Sequence, residues 1–151
     1  MFLSGNTSST AMASSPGCIT TKPAGGTQDI FIAKLSSDGT TRLWATYYGG
    51  NSADNISDLA IDPSGDVVVS GWTRSNNLPL LLYDNQYKSG DDSFLAKFKS
   101  TGECDWATYY STNGDDRGLT VATDNIGNIY LAGKTEAAIS DINQSAIGFD
   151  K

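Results

Sequence analysis

The chain contains no histidine. That absence excludes Ser-His-Asp and Cys-His catalysis, and every His-based metal site, within these 151 residues. Glutamate is nearly missing too, with Glu103 and Glu136 the two present. The acid is almost all aspartate, which favours turns where glutamate favours helices. Cysteine is reduced to Cys18 and Cys104, in unlike contexts. They read as two separate thiols, and their spacing lends no support to a disulfide. No apolar run approaches the roughly 20 residues of a membrane-spanning helix. Met1–Thr7 has neither the basic nor the apolar region of a signal peptide. Basic residues number 10 against 17 acidic, and the net charge of −7 argues against nucleic acid and anionic membrane as partners.

What the chain does have is glycine, 16 in all, and a repeat. The run WATYY at Trp44–Tyr48 returns at Trp106–Tyr110. Between 44–73 and 106–135 roughly 12 of about 30 positions are identical, which marks an internal repeat. DIFIAKL at Asp29–Leu35 returns as DSFLAKF at Asp92–Phe98, and MFLSGNT at Met1–Thr7 matches VVVSGWT at Val67–Thr73 and IYLAGKT at Ile129–Thr135. Each match to Met1–Thr7 ends in Gly-x-Thr, so residues 1–7 read as the end of a preceding repeat. The repeats proper are 29–73 and 92–135, and 136–151 starts a further loop of the same single segment.

Strands are predicted at 29–35, 42–48, 56–62, 66–73, 92–98, 104–110, 118–124 and 128–135. Tight turns separate them, with glycine at Gly39, Gly65, Gly102 and Gly127. Gly49–Asn55 and Ser111–Arg117 read as polar loops. Ser8–Gln28, Arg74–Asp91 and Glu136–Lys151 read as long, variable ones. Strands such as Val67–Val69 and Ile30–Ile32 are apolar on both faces, as in a sheet covered on both sides. Repeated four-stranded sheets of that kind are the blades of a β-propeller.

The pattern D-x-F-[IL]-A-K-[LF], then WATYY, then A-x-D-x-x-G-[DN] and G-x-T, resembles the SBBP repeat of bacterial β-propellers. The resemblance implies an all-β fold, a partial β-propeller of four-stranded antiparallel blades with about two and a half repeats. It also implies a secreted or surface-exposed bacterial protein, and it carries over no catalytic residue. The first copy departs from the pattern at Ala53, where the second has Asp115. Phased as in other propellers, the inner strand is 56–62, the second 66–73, the third 92–98 and the outermost 104–110. That makes one whole blade, three strands of another before it and two of a third after it. Closure takes about 4–8 blades, so the expected partners are neighbouring propeller blades of a longer chain or an assembly.

Ligand sites are expected on the rim built by the long loops and the outer-to-inner connections. The residue inside Gly-x-Thr varies there: Asn6, then Trp72, then Lys134. Trp72 beside Arg74 suits stacking on a glycan or a protein ligand; the alternative is an aromatic covering the blade edge. Asp54, Asp115 and Asp116 are calcium candidates, the one cofactor considered, and equally suit loop caps that bond backbone N–H groups. Asp91–Asp92 and Asp115–Asp116 are candidates for the paired carboxylates of a glycosidase, but neighbours in sequence rarely flank a scissile bond and no partner acid is marked. Trp44, Trp106 and the tyrosine pairs repeat in register and read as packing. The expected function is a non-enzymatic scaffold or interaction segment. The alternative is part of a propeller enzyme acting on polysaccharide, with its acids in other blades.

Overall fold

A computed structural model describes residues 1–11, 25–79 and 87–137. Among them are nine strands and no helix: β1 (Phe2–Thr7), β2 (Asp29–Leu35), β3 (Arg42–Tyr48), β4 (Asp54–Ile61), β5 (Val67–Thr73), β6 (Asp92–Phe98), β7 (Cys104–Tyr110), β8 (Asp116–Thr123) and β9 (Ile129–Thr135). They form three antiparallel sheets, β1-β2-β3, β4-β5-β6-β7 and β8-β9. This is the predicted phasing: a whole blade flanked by three strands and by two. The sheets do not close on themselves.

The two turns that open with aspartate share one construction. The Asp62 carboxylate accepts the N–H groups of Ser64 and Asp66, and Asp124 accepts those of Ile126 and Asn128. Gly65 and Gly127 follow with φ of 82° and 89°, a region that glycine enters without strain.

The inner strands begin two residues earlier than predicted. Asp54 and Asp116 belong to β4 and β8 and not to polar loops. The Asp54 N–H donates to the Gln28 carbonyl at 2.9 Å, and the Asp116 N–H to that of Asp91 at 2.5 Å. Each inner strand is thus pinned to the preceding blade at its first residue, and polarity at that point does not mean exposure.

The tyrosine pairs divide their work by strand alternation. The first of each pair holds its own blade's loop. Tyr47 donates its hydroxyl to the Ser9 carbonyl, while Tyr109 donates to Ser75 O and accepts from Leu78 N–H. The second faces the next blade. Tyr48 is fully buried, 5.7 Å from Phe94 and 5.5 Å from Phe98 between ring centroids. Trp44 lies against Gly102 of the next blade and donates its indole N–H to Ser100 O.

The same repeat position is therefore buried or exposed according to its neighbours. β5 is buried nearly throughout because β6 pairs with it and sheets flank it. β9 has the same pattern and is mostly exposed, since among the described residues nothing pairs with its second edge.

Inner strands of successive blades also meet. Asp58 on β4 accepts hydrogen bonds from Thr120 Oγ1 at 2.6 Å and Val121 N–H at 3.0 Å on β8. Burial pushes its carboxyl up, but these bonds and one from Leu59 N–H outweigh it and leave the pKa below 3.8. A lowered folded-state value stabilises above the unfolded one and is lost as pH falls through the folded value. Asp58→Asn is thus expected to lower stability at neutral pH by about 1 kcal/mol. It should also flatten the loss of stability below the unfolded value. Thermal melts across acid pH check this, and an unchanged acid limb would remove Asp58 from the seam.

Candidate functional site

Four side chains come together at the rim between the second and third sheets. Trp72 precedes the last residue of β5, Arg74 follows that strand, Asp91 precedes β6, and Arg117 is the second residue of β8. Asp91 is fully buried at its side chain. Its Oδ1 accepts from Arg74 Nε at 2.6 Å, and its Oδ2 accepts from Arg117 Nη2. Both guanidinium groups lie over the indole of Trp72, Arg74 at 5.6 Å and Arg117 at 5.1 Å from the ring centroid. One carboxylate thus orients two cations, and the pair frames one half-buried aromatic. The hydrogen bond to Asp91, and then the charge of that carboxylate, raise the pKa of the exposed Arg74 above its ordinary value, so the guanidinium charge is fixed at any working pH.

The predicted neighbours Trp72 and Arg74 do meet. Asn6 lies elsewhere, whereas Lys134 sits beside the cluster. Asn6 Oδ1 accepts the Ile56 N–H on β4 at 2.9 Å, which ties the first sheet to the second. Lys134 is exposed and pairs in register with Arg117. The variable position inside Gly-x-Thr is thus a seam position. Asn6 meets β4 and Trp72 meets Arg117 of β8.

Asp91 and Arg117 were missed as members of this cluster, although both stood in view. Arg117 occupies the repeat position of Asn55, so divergence between copies, the criterion that selected Trp72, also selects Arg117. Asp91 stands at the repeat position of Gln28 and so differs between copies too, but only the fold brings it beside β8.

The calcium candidates are engaged by protein donors. Asp54 accepts from Thr73 Oγ1, from Gly50 N–H at 2.7 Å and from Ser75 Oγ at 3.0 Å. Burial raises its pKa, against the pull of those three bonds. Asp116 accepts from the N–H and hydroxyl of Thr112, and Asp115 Oδ1 accepts the Asp91 N–H at 3.0 Å. Among the described residues no three acidic or sulfur groups gather as a metal set. In the Asp91–Asp92 pair, Asp91 is held by the two arginines. Burial raises the pKa of Asp92, whose Oδ2 accepts the Lys88 N–H. Cys104 carries a free thiol pushed up to about 12 by burial, and Cys18 lies outside the described residues. No helix among the described residues is long and apolar enough to cross a membrane.

A shallow pocket of about 140 Å³ adjoins the cluster. Arg117, Ser93, Tyr110, Leu131 and Lys134 are on its wall.

Comparison with known proteins agrees with the fold. An uncharacterized WD repeat-containing protein of Acanthamoeba polyphaga mimivirus is 26% identical over 133 residues, 82% of this chain. The chain spans about 9% of the length of that relative. Residues 43–79 match the family model of the SBBP β-propeller repeat, and those residues contain β3 from its second residue, β4, β5 and their connections. Residues 43–79 are thus similar to an SBBP β-propeller repeat, and the three open sheets are those of a partial propeller.

Proposed function

We propose that the chain is a non-enzymatic, ligand-presenting scaffold segment of a secreted or surface-exposed bacterial propeller protein. The observation that supports this reading most is the rim cluster. Trp72, Arg74 and Arg117 offer an aromatic plane and two guanidinium groups at the side of the blades where loops gather. Such a surface suits a glycan ring or a peptide side chain, which stacks on the indole while the guanidinium edges donate hydrogen bonds. The surface location rests on the resemblance to SBBP repeats.

Trp72→Ala is expected to weaken capture on a glycan or peptide array at least about tenfold. The thermal midpoint should fall by only a few degrees, because the two cation–π contacts at this half-exposed site are worth about 1 kcal/mol each. Retained binding by Trp72→Ala would remove the cluster from any ligand site. A collapse of the melt would make Trp72 a packing residue of the seam.

A further inference from the structure

The seam between the second and third sheets buries two carboxylates next to each other. Asp92 opens β6 and is fully buried, and Asp116 opens β8 and is buried too. The Asp116 N–H donates to the carbonyl of Asp91, the residue before Asp92, and so holds the two strand ends together. The preceding seam is built alike. There the Asp54 N–H donates to the carbonyl of Gln28, the residue before Asp29, and both aspartates are buried. A Cβ on Gly49 would lie 2.2 Å from Asp29 Oδ1 and 2.7 Å from Asp54 Oδ2. Those two oxygens are therefore less than about 5 Å apart, a range in which like charges oppose each other's ionisation.

The hydrogen-bond donors at the later seam are unequally shared. Asp116 accepts from the N–H and the hydroxyl of Thr112. Asp92 Oδ2 accepts the Lys88 N–H, but Asp92 Oδ1 is buried with no hydrogen-bond partner among the described residues. No lysine or arginine among the described residues forms an ion pair with either carboxylate. The nearby guanidinium groups, Arg74 and Arg117, are both on Asp91, and Asp115 takes the Asp91 N–H. The other titratable groups that face Asp92 are the hydroxyls of Tyr87 and Tyr109, which carry no positive charge. A buried carboxylate oxygen without a donor, beside a second carboxylate, is costly when charged and far less so when protonated.

We propose that the Asp92–Asp116 pair holds one proton and acts as a pH latch on this seam, closed while Asp92 is protonated at Oδ1 and weakened once both carboxylates are charged. Asp116, which has the donors, carries the charge of the closed state. Burial, and after it the charge of Asp116, raise the pKa of Asp92 against hydrogen bonds from Lys88, Ser111 and Ser89. With a raised folded-state value, stability is full below the unfolded value of about 3.9 and is lost as pH rises through the folded one. The chain has no histidine to titrate in that range. Asp54, at the preceding seam, is the other carboxylate of raised pKa among the described residues. The latch also bears on the rim. Asp91 and Arg117 are the chain neighbours of Asp92 and Asp116, so a loosened seam draws Arg117 away from Asp91 and from the Trp72 ring.

The test is a series of thermal melts of the full 151-residue chain from about pH 5 to about pH 8, with and without calcium. The wild-type midpoint is expected to fall by several degrees over that range. Asp92→Asn keeps an acceptor for the Lys88 N–H and puts an amide N–H in the place of Oδ1. It should match wild type at the acid end, melt above it at the alkaline end, and retain no more than about half of the fall, the remainder belonging to Asp54. Asp116→Asn takes its place if Asp92→Asn loses its β-sheet circular dichroism. It removes the charge that opposes ionisation of Asp92, and the same flattening is expected. Carbon-13 NMR of the aspartate carboxyls should show a signal that titrates in this range and is missing from Asp92→Asn. A wild-type midpoint that does not change with pH overturns the inference. So does an Asp92→Asn chain that falls in parallel with wild type or melts below it at the alkaline end, since Asp92 would then be an ionised acceptor. Calcium that raises the alkaline midpoint of wild type and not that of Asp92→Asn would make the pair a cation site and overturn the latch as well.

Discussion

Tyr48→Ala is expected to lower stability by about 4 kcal/mol. The ring is fully buried, meets Phe98 edge-on at 89° and tilts against Phe94. Removing it opens a cavity between two blades beside the Phe94 and Phe98 rings, and neither strand can move in to fill it without breaking its own ladder. The thermal midpoint should drop by about 10 °C. The hydroxyl contributes none of this. It is buried without a hydrogen-bond partner among the described residues, so Tyr48→Phe should be neutral or slightly stabilising. Tyr110→Ala, at the same repeat position but partly exposed in the single chain, should cost about 1 kcal/mol or less in the monomer. Chemical denaturation of the three variants checks the ordering. Equal losses for Tyr48→Ala and Tyr110→Ala would show that the seam does not stabilise the first two sheets.

Gly71→Ala is the second large effect, at about 3 kcal/mol. A Cβ on Gly71 would lie 1.9 Å from the Asn55 carbonyl oxygen. That carbonyl stands close because β4 bulges between Ile56 and Asp58, beside the pairing of Ile56 with Gly71. β8 bulges in the same way between Gly118 and Thr120, and a Cβ on Gly133 would meet the Arg117 carbonyl at 2.2 Å. The obstacle is backbone on both sides, so no side-chain rearrangement relieves it. Gly5 is the same residue of the repeat in β1, which pairs with no inner strand among the described residues. Its Cβ would meet the Phe31 ring, which can move. Gly5→Ala should therefore cost about 1 kcal/mol or less. Denaturant midpoints of the two variants decide the matter. Similar losses would mean that the glycine of Gly-x-Thr answers to something other than the bulge.

Much of this protein was legible in its sequence, for a definite reason. Two copies of one pattern show which residues the fold reuses, and strand alternation together with turn chemistry follows from local rules alone. The strands and the glycine turns at Gly65 and Gly127 came from that information, and the 3-4-2 phasing came from the analogy with other propellers. Gly-x-Thr was visible as a motif, but the reason for its glycine was not, because the bulge opposite lies in another strand. Asp54 and Asp116 read as loop residues because sequence polarity cannot distinguish a solvated carboxylate from one saturated by buried donors. The rim cluster depended on tertiary structure most of all. Asp91, Trp72 and Arg117 span three elements of two blades, and only the packing of β8 against β5 and β6 brings one carboxylate within reach of two guanidinium groups. The sequence by itself determined what each blade is made of. The tertiary structure decided which copies of a residue are covered, because burial depends on the neighbouring blade and not on the residue.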